Sequence, residues 1–161
     1  MEQEKSLQEI AGALLTQSRC TLATAESCTG GLIGHLLTSV PGSSAYYLGG
    51  VITYSNEAKN LILGVSQESL ISFGAVSEQV AEEMALGAKE VLNSDLAISA
   101  TGIAGPDGGT AIKPVGLTFI SLAYSGGVRT EKHIWKGTRA ENKLSSAHAA
   151  LSMIITYLSN G

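Results

Sequence analysis

Apolar positions change period along the chain, and each period predicts an element. Leu7, Ile10, Ala11, Leu14 and Leu15 recur at helical spacing and predict an opening amphipathic helix. Cys20 to Ala25 is short, small and partly β-branched, as in a buried strand. Leu32, Ile33, Leu36, Leu37 and Val40 return to helical spacing, and Val40-Pro41-Gly42-Ser43-Ser44 breaks that helix. Tyr47 to Tyr54 predicts a strand whose internal glycine pair marks a bulge or a close backbone approach. Ser55-Asn56-Glu57 caps a short helix through Lys59, Leu61 and Ile62 that Gly64 ends. Ser66 starts another short helical piece, and Ser77 and Glu78 begin a longer helix with Val80, Met84, Ala88, Val91 and Leu92 inward.

The second half is richer in strands. Asp95 to Ala100 predicts a strand, and Thr101 to Gly109 a loop with four glycines in nine residues. Val115 to Tyr124 is a long apolar strand, Ser125-Gly126-Gly127 a turn, and Val128 to Trp135 alternates as a hairpin partner does. A last helix runs from about Arg139 to Leu158, with Leu144, Ala147, Leu151, Ile154, Ile155 and Leu158 along one face. Crossover helices between the early strands imply parallel pairing, and the late hairpin adds an antiparallel strand. The expected fold is α/β, a three-layer α/β/α sandwich with a mixed, mostly parallel sheet, built as one domain over residues 1–161.

Composition agrees with that class and removes others. At 44% hydrophobic, with 19 glycines and 15% charged residues, the chain is a glycine-punctuated globular domain and not a disordered one. A domain of this size buries roughly 70% of its unfolded surface and needs no metal or disulfide staple. A net charge of −4 without a basic stretch argues against nucleic acid as a partner. No apolar run is long enough for a membrane span, and the charged start Met1-Glu2-Gln3-Glu4-Lys5 predicts no signal peptide. Cys20 and Cys28 do not make a disulfide framework, so a reducing cytoplasm is the expected setting.

Candidate chemistry gathers at Ala23-Thr24-Ala25-Glu26-Ser27-Cys28-Thr29-Gly30-Gly31, a tight connection from strand to helix. Such a turn leaves backbone N–H groups unpaired, adds the positive end of the helix dipole, and suits a phosphate or an oxyanion. Ser27, Cys28 and Thr29 set three nucleophile-type side chains beside it, and Gly30 and Gly31 admit a ligand close to the backbone. Alternatively, the cluster only caps and starts a helix. Two further polar loops, Tyr54 to Lys59 and Thr101 to Gly109, meet it if their strands are parallel. Lys59 can serve Ser27 as a general base if burial lowers its pKa, and Tyr54 can pass a proton or orient Lys59. A solvated lysine and a core tyrosine are the plain alternatives. The glycine loop is neither a P-loop nor a dinucleotide fingerprint, yet it exposes donors for a phosphate or carboxamide. Lys113 and Arg139 are the candidate phosphate cations. His35, His133 and His148 are scattered, so neither a metal nor a cofactor is expected.

Ala25-Glu26-Ser27-Cys28-Thr29-Gly30-Gly31, Gly42-Ser43-Ser44, Val51 to Lys59, Gly74-Ala75-Val76-Ser77-Glu78, and Thr101 to Gly109 with Lys113-Pro114-Val115-Gly116 together resemble the C-terminal domain of the competence/damage-inducible CinA family. The resemblance runs from about Ile10 to Leu158. It implies a nicotinamide mononucleotide deamidase, releasing nicotinic acid mononucleotide and ammonia in pyridine nucleotide salvage, with a three-layer fold and no required metal. Larger CinA proteins carry a further N-terminal molybdopterin-binding-like domain, for which this chain is too short. The resemblance implies site roles for Ser27, Thr29, Gly30, Gly31, Tyr54, Asn56, Lys59, Thr101, Gly102, Gly105, Gly108, Gly109 and Arg139. Lys143 stands where the family usually has a second arginine, and Thr138 where an aspartate is common.

The resulting expectation is that Ser27 attacks the carboxamide, Lys59 with Tyr54 moves the proton, and backbone N–H groups near Thr29 to Gly31 or Gly102 to Gly105 hold the oxyanion. Cys28 and Ser44 complete the expected substrate contacts. In a competing arrangement the Ser27 to Gly31 turn binds phosphate and Ser44 attacks. A non-catalytic nucleotide-binding module, acting through partners in competence or DNA damage, is the alternative function. The expected partners are a small-molecule nucleotide and further copies of the chain, with neither nucleic acid nor membrane.

Overall fold

A computed structural model describes residues 4–161; residues 1–3, the first part of the start from which no signal peptide is expected, lie outside the described residues. The elements run α1 (Leu7–Ser18), β1 (Leu22–Glu26), α2 (Leu32–Thr38), a 3-10 turn (Ser43–Ala45), β2 (Tyr47–Ile52), α3 (Asn56–Leu63), α4 (Gln67–Phe73), α5 (Glu78–Leu92), β3 (Leu96–Gly102), β4 (Leu117–Tyr124), β5 (Gly127–Ile134) and α6 (Arg139–Ser159). The 3-10 turn was not expected, and α4 and α3 keep their serine caps: Ser55 accepts from the Ala58 N–H and Ser66 from the Ser69 N–H.

One five-stranded sheet, in the order β2-β1-β3-β4-β5, carries all the strands among the described residues. β1 pairs parallel with β2 and β3, and β4 pairs antiparallel with β3 and β5. The parallel trio is therefore the half with helical crossovers, and the hairpin closes the other half. The glycine pair does mark a bulge: Leu22 faces Tyr47 while Ala23 faces Gly49, leaving Leu48 as the extra residue. A Cβ on Gly50 would fall 2.0 Å from the Thr24 hydroxyl, so the close approach is real as well.

Strand periodicity sorts the two helical layers. Leu22, Ile98, Ile120 and Leu122 face one side, where Leu15 of α1, Ile33 and Leu37 of α2 and Leu151 and Ile154 of α6 cover them. Ala23, Ala25 and Ala97 face the other, against Leu63, Leu70, Val80, Met84 and Ala88 of α3, α4 and α5. The small residues on this second face let α5 lie close to the sheet, and the Ser99 hydroxyl among them is satisfied, donating to the Ala81 carbonyl at 2.6 Å.

Three details depart from the sequence expectation. Thr101 and Gly102 complete β3 and do not open the loop, because they pair with Phe119 and Thr118. β4 starts at Leu117, after Gly116, whose φ of +90° breaks the extended run from Val115. Val91 and Leu144, expected inward, are 54% and 42% exposed. In α6 the buried stripe includes the polar Asn142 and Ser146, which turns Leu144 to the flank; in α5 the stripe ends at Gly87 and Ala88.

The helix that carries Lys59 is seated by a glycine. A Cβ on Gly87 of α5 would lie 2.0 Å from the Leu63 carbonyl oxygen at the end of α3. Gly87→Ala must push α3 off α5, an overpacking cost of about 1–3 kcal/mol. Calorimetry is expected to show a melting temperature lower by about 3–10 °C. Gly161→Ala, where an added Cβ comes no closer than 3.7 Å to its nearest neighbour and no positive φ is needed, should leave it nearly unchanged.

Candidate active site

The site is assembled at the C-terminal end of the parallel trio. As the chain leaves β1 it is pinned to both neighbours: the Thr53 N–H donates to the Glu26 carbonyl at 2.9 Å, and the Ser27 N–H to the Ala100 carbonyl at 3.0 Å. Ser27 is thereby fixed over the sheet edge with 7% of its surface exposed.

Directly across stands Lys59, in the second turn of α3 and 1% exposed. Its Nζ lies 2.9 Å from Ser27 Oγ, 2.8 Å from the Thr53 carbonyl oxygen and 3.1 Å from the Tyr54 carbonyl oxygen. No carboxylate forms an ion pair with it among the described residues. Burial pushes its pKa below 10.5, and a negative charge on Cys28 would work the other way. A neutral amine has two N–H bonds and one lone pair. As an ammonium Lys59 donates to Ser27 Oγ and to both carbonyls. Once it has lost a proton, which burial favours, the carbonyls take the two remaining hydrogens and the lone pair faces the Ser27 hydroxyl, which then donates to it. That arrangement is a hydroxyl held against a base.

The other two nucleophile-type side chains are disarmed. Burial pushes the Cys28 thiol up to about 11, so it stays protonated at neutral pH. The Thr29 hydroxyl is buried and has no hydrogen-bond partner. The N-terminus of α2 is not open to a phosphate either. Glu26, 2% exposed, turns its carboxylate inward and accepts the N–H groups of Ile33 at 2.9 Å and Gly34 at 3.0 Å. The N–H groups of Gly30 and Leu32 go to the carbonyls of Ser27 and Thr29. Those of Cys28, Thr29 and Gly31 have no acceptor among the described residues. Of these three residues only Cys28 lines the cavity beside Ser27; Thr29 and Gly31, like Gly30, stand outside its lining, so Cys28 is the donor best placed for an oxyanion.

A cavity of about 160 Å³ opens over the pair, lined by Ser27, Cys28, Tyr54, Lys59, Ala75, Val76, Thr101, Gly102, Ala104 and Arg139. The three polar loops thus do converge. A larger groove of about 600 Å³ lies along α1 beside Tyr46, away from any buried base. Tyr54 reaches Lys59 by its carbonyl and not by its phenol, whose oxygen accepts from Arg139 Nη2 at 3.3 Å. A proton relay through that hydroxyl is therefore not what the geometry provides. Arg139, first in α6, also donates from Nη1 to the Gly105 carbonyl at 2.7 Å. One turn on, Asn142 donates to the Ala104 carbonyl at 3.0 Å and accepts the Gly137 N–H at 2.9 Å. Arg139 and Lys143, with Leu32 and Ala140, line an adjoining hollow of about 410 Å³, and Lys143 Nζ would lie 3.7 Å from a Cβ on Gly30.

Several expected contacts are elsewhere. Ser44 sits in the 3-10 turn before β2, at the opposite end of the strands, since Tyr47 pairs with Leu22 at the start of β1. The length of β1 separates it from Ser27 within the chain, roughly 15 Å, so an attack by Ser44 in the same chain has no support in the geometry. Lys113 donates to the Phe73 carbonyl and holds the glycine loop against α4; it does not line the cavity. Asn56, Gly108 and Gly109 are exposed and also stand outside it. Gly109 is needed for a different reason: a Cβ there would lie 2.6 Å from the Val115 nitrogen. Ala75, Val76 and Ala104 line the cavity without having been foreseen, because apolar residues in a loop carry no chemical signal.

Fold and site together define a three-layer α/β protein with a buried serine–lysine pair at the end of its parallel strands. Residues 4–158 match the CinA C-terminal domain family, and the chain belongs to it. A CinA-like protein of Geobacter is 47% identical over 157 residues, covering 98% of this chain and 38% of that protein. One of Chlorobium phaeobacteroides is 50% identical over 154 residues, covering 92% and 37%. The chain thus spans little more than a third of the length of these relatives. The crystal structure of the competence/damage inducible protein CihA from Agrobacterium tumefaciens superposes with a TM-score of 0.90 at 41% identity, covering 99% of both chains. A CinA superfamily protein from Escherichia coli gives 0.90 at 32% identity, covering 98% of this chain and 94% of that one.

Lowering the pKa of Lys59 has a consequence for stability. Between its folded value and its ordinary 10.5, the unfolded chain binds the extra proton, so this residue's contribution to stability rises with pH through that window. Lys59→Met lacks the titration. Denaturant melts at successive pH values are expected to show the wild type gaining on Lys59→Met as pH increases; a constant difference would mean that Lys59 titrates normally.

Proposed function

We propose that the chain is a nicotinamide mononucleotide deamidase, hydrolysing the carboxamide to nicotinic acid mononucleotide and ammonia. The observation that carries this is the buried contact of 2.9 Å between Lys59 Nζ and Ser27 Oγ, with no counter-charge on the lysine. Such a pair suits attack on an acyl carbon whose leaving group must be protonated. The family resemblance supplies the substrate.

Ser27 Oγ attacks the carboxamide carbon and its proton passes to Lys59 Nζ. The N–H of Cys28, whose residue lines the cavity beside Ser27 and which has no backbone acceptor, is the donor proposed for the oxygen that becomes negative. Collapse breaks the C–N bond, and Lys59 gives its proton to the departing nitrogen, which leaves as ammonia. Water then attacks the ester, Lys59 takes its proton, and return of that proton to Ser27 Oγ frees the acid. The phosphate lies in the adjoining hollow against Arg139 and Lys143. Lysine there is a point charge where a second arginine would give a fork, so Arg139 supplies the directional part of the grip.

Purified protein incubated with nicotinamide mononucleotide should release ammonia, and Lys59→Ala should lower turnover by about 10²-fold or more while the nucleotide still binds. The rate should rise with pH with a midpoint below 10.5, the ordinary lysine value. Tight binding without ammonia would favour a nucleotide-binding module instead.

Phosphate anchoring is tested separately. Charge-assisted hydrogen bonds contribute roughly 1.5–3 kcal/mol each, so two of them correspond to about a hundredfold or more in kcat/KM. The mononucleotide should exceed its riboside by that margin, and Arg139→Ala should narrow the gap by harming the mononucleotide more. Equal kcat/KM on both compounds would sink the anchoring and leave the deamidase open.

A further inference from the structure

The sequence Gly74-Ala75-Val76-Ser77-Glu78 is one of the stretches that carry the family resemblance, yet its side chains take no part in the chemistry above. It connects α4 to α5, and its place explains it. Ala75 and Val76 form the apolar wall of the cavity over Ser27 and Lys59. They present no donor or acceptor side chain, so they read shape alone. On this side of the cavity the space they leave decides what fits, while the polar groups lie on the other side with Ser27 and Lys59.

That space is small and defined. The cavity measures about 160 Å³, close to the roughly 150 Å³ of an engineered apolar cavity that takes up one benzene ring. Val76 also borders a second hollow of about 370 Å³, which Phe73, Ile112 and Phe119 line from the other side. Its side chain is a partition between the two spaces. The segment is tied down at three successive carbonyls: Phe73 accepts from Lys113 Nζ, Gly74 from Ser77 Oγ at 2.7 Å, and Ala75 from Thr101 Oγ1 at 2.8 Å. A wall held this way does not retreat from a larger ligand. It also gives Lys113 a job: it braces the wall from the glycine loop.

We infer that Ala75 and Val76 are the specificity-determining residues of the acyl pocket, limiting the group bonded to the reacting carbon to a single planar six-membered ring. This deepens the proposed function and rests on Ser27 being its nucleophile. The ring is selected by size, and the partition at Val76 is what excludes a fused bicyclic acyl group.

The experiment uses sulfonyl fluorides of graded size, so that it does not depend on ammonia release. Ser27 Oγ attacks sulfur, the S–O bond forms, fluoride leaves with the S–F electron pair, and the hydroxyl proton passes to Lys59. Methane-, benzene- and naphthalenesulfonyl fluoride are compared by intact-mass measurement of the labelling rate, with peptide mapping to Ser27. The wild type should take the benzene reagent at least about tenfold faster than the naphthalene one, after correction for their reactivity in water. Val76→Ala should raise the naphthalene-to-benzene ratio at least about fivefold by opening the second hollow. Ala75→Leu should lose the benzene reagent and keep the methane one, which also shows that the variant is folded and reactive. Ratios unchanged across the three proteins overturn the wall, as does equal labelling of the wild type by both aromatic reagents. Failure of every reagent to label Ser27 overturns the inference together with the nucleophile. Size-selective labelling without release of ammonia from nicotinamide mononucleotide keeps the wall and discards the deamidase.

Discussion

A lysine sealed inside a protein without an anion is the constraint around which this structure is arranged. Desolvation makes a buried ammonium costly, and most chains avoid it by sending lysine to the surface. Here the cost is met by geometry. The turn between β2 and α3 points two successive carbonyls, of Thr53 and Tyr54, at the same nitrogen. Ser55 caps α3 so that Lys59 comes round one turn later facing inward. Gly87 lets α5 press on the end of that helix. Removing any one of these would let water reach the amine, and the lysine would return to its ordinary chemistry.

The same economy governs the strand that carries the serine. A tight turn into a helix invites an anion, and the chain supplies its own in Glu26, whose carboxylate is bound by two N–H groups of α2. The internal anion fixes the turn, so the N–H groups left over are few and lie next to Ser27. Under the proposed function the phosphate goes instead to side chains, Arg139 and Lys143, which line a hollow on a different helix, so that the ligand's anion and the protein's own have separate donors.

Much of this was legible in the sequence because it rests on local rules. The change from small β-branched residues at Thr21 to Ala25 to helical spacing at Leu32 located the turn; the glycine pair at Gly49 and Gly50 located the bulge. Ser27 and Lys59 were found as a pair from residue types and the placement of their loops. What escaped was what only packing decides. Nothing in the letters distinguishes Glu26 as a cap from Glu26 as a catalyst, or Lys113 holding a carbonyl from Lys113 holding a phosphate. Ser44 stood as a competing nucleophile to Ser27 until the parallel register of β1 and β2 put the two at opposite ends. The apolar wall at Ala75 and Val76 has no signature beyond the stretch that contains it.

Helix α6 has a mechanical consequence. It is 21 residues long, about 30 Å of rod at 1.5 Å per residue. Its first turn holds the carbonyls of Ala104 and Gly105 through Asn142 and Arg139. Its distant half packs Leu151 and Ile154 against Leu15 of α1. Over such an arm a tilt of about 5° displaces the far end by roughly 2–3 Å, more than a hydrogen bond can absorb. The helix is a lever with its fulcrum in the core. A repacking of α1, remote from the cavity over Ser27 and Lys59, would therefore be felt at Arg139 as misalignment, and would disturb the site before it registered in folding.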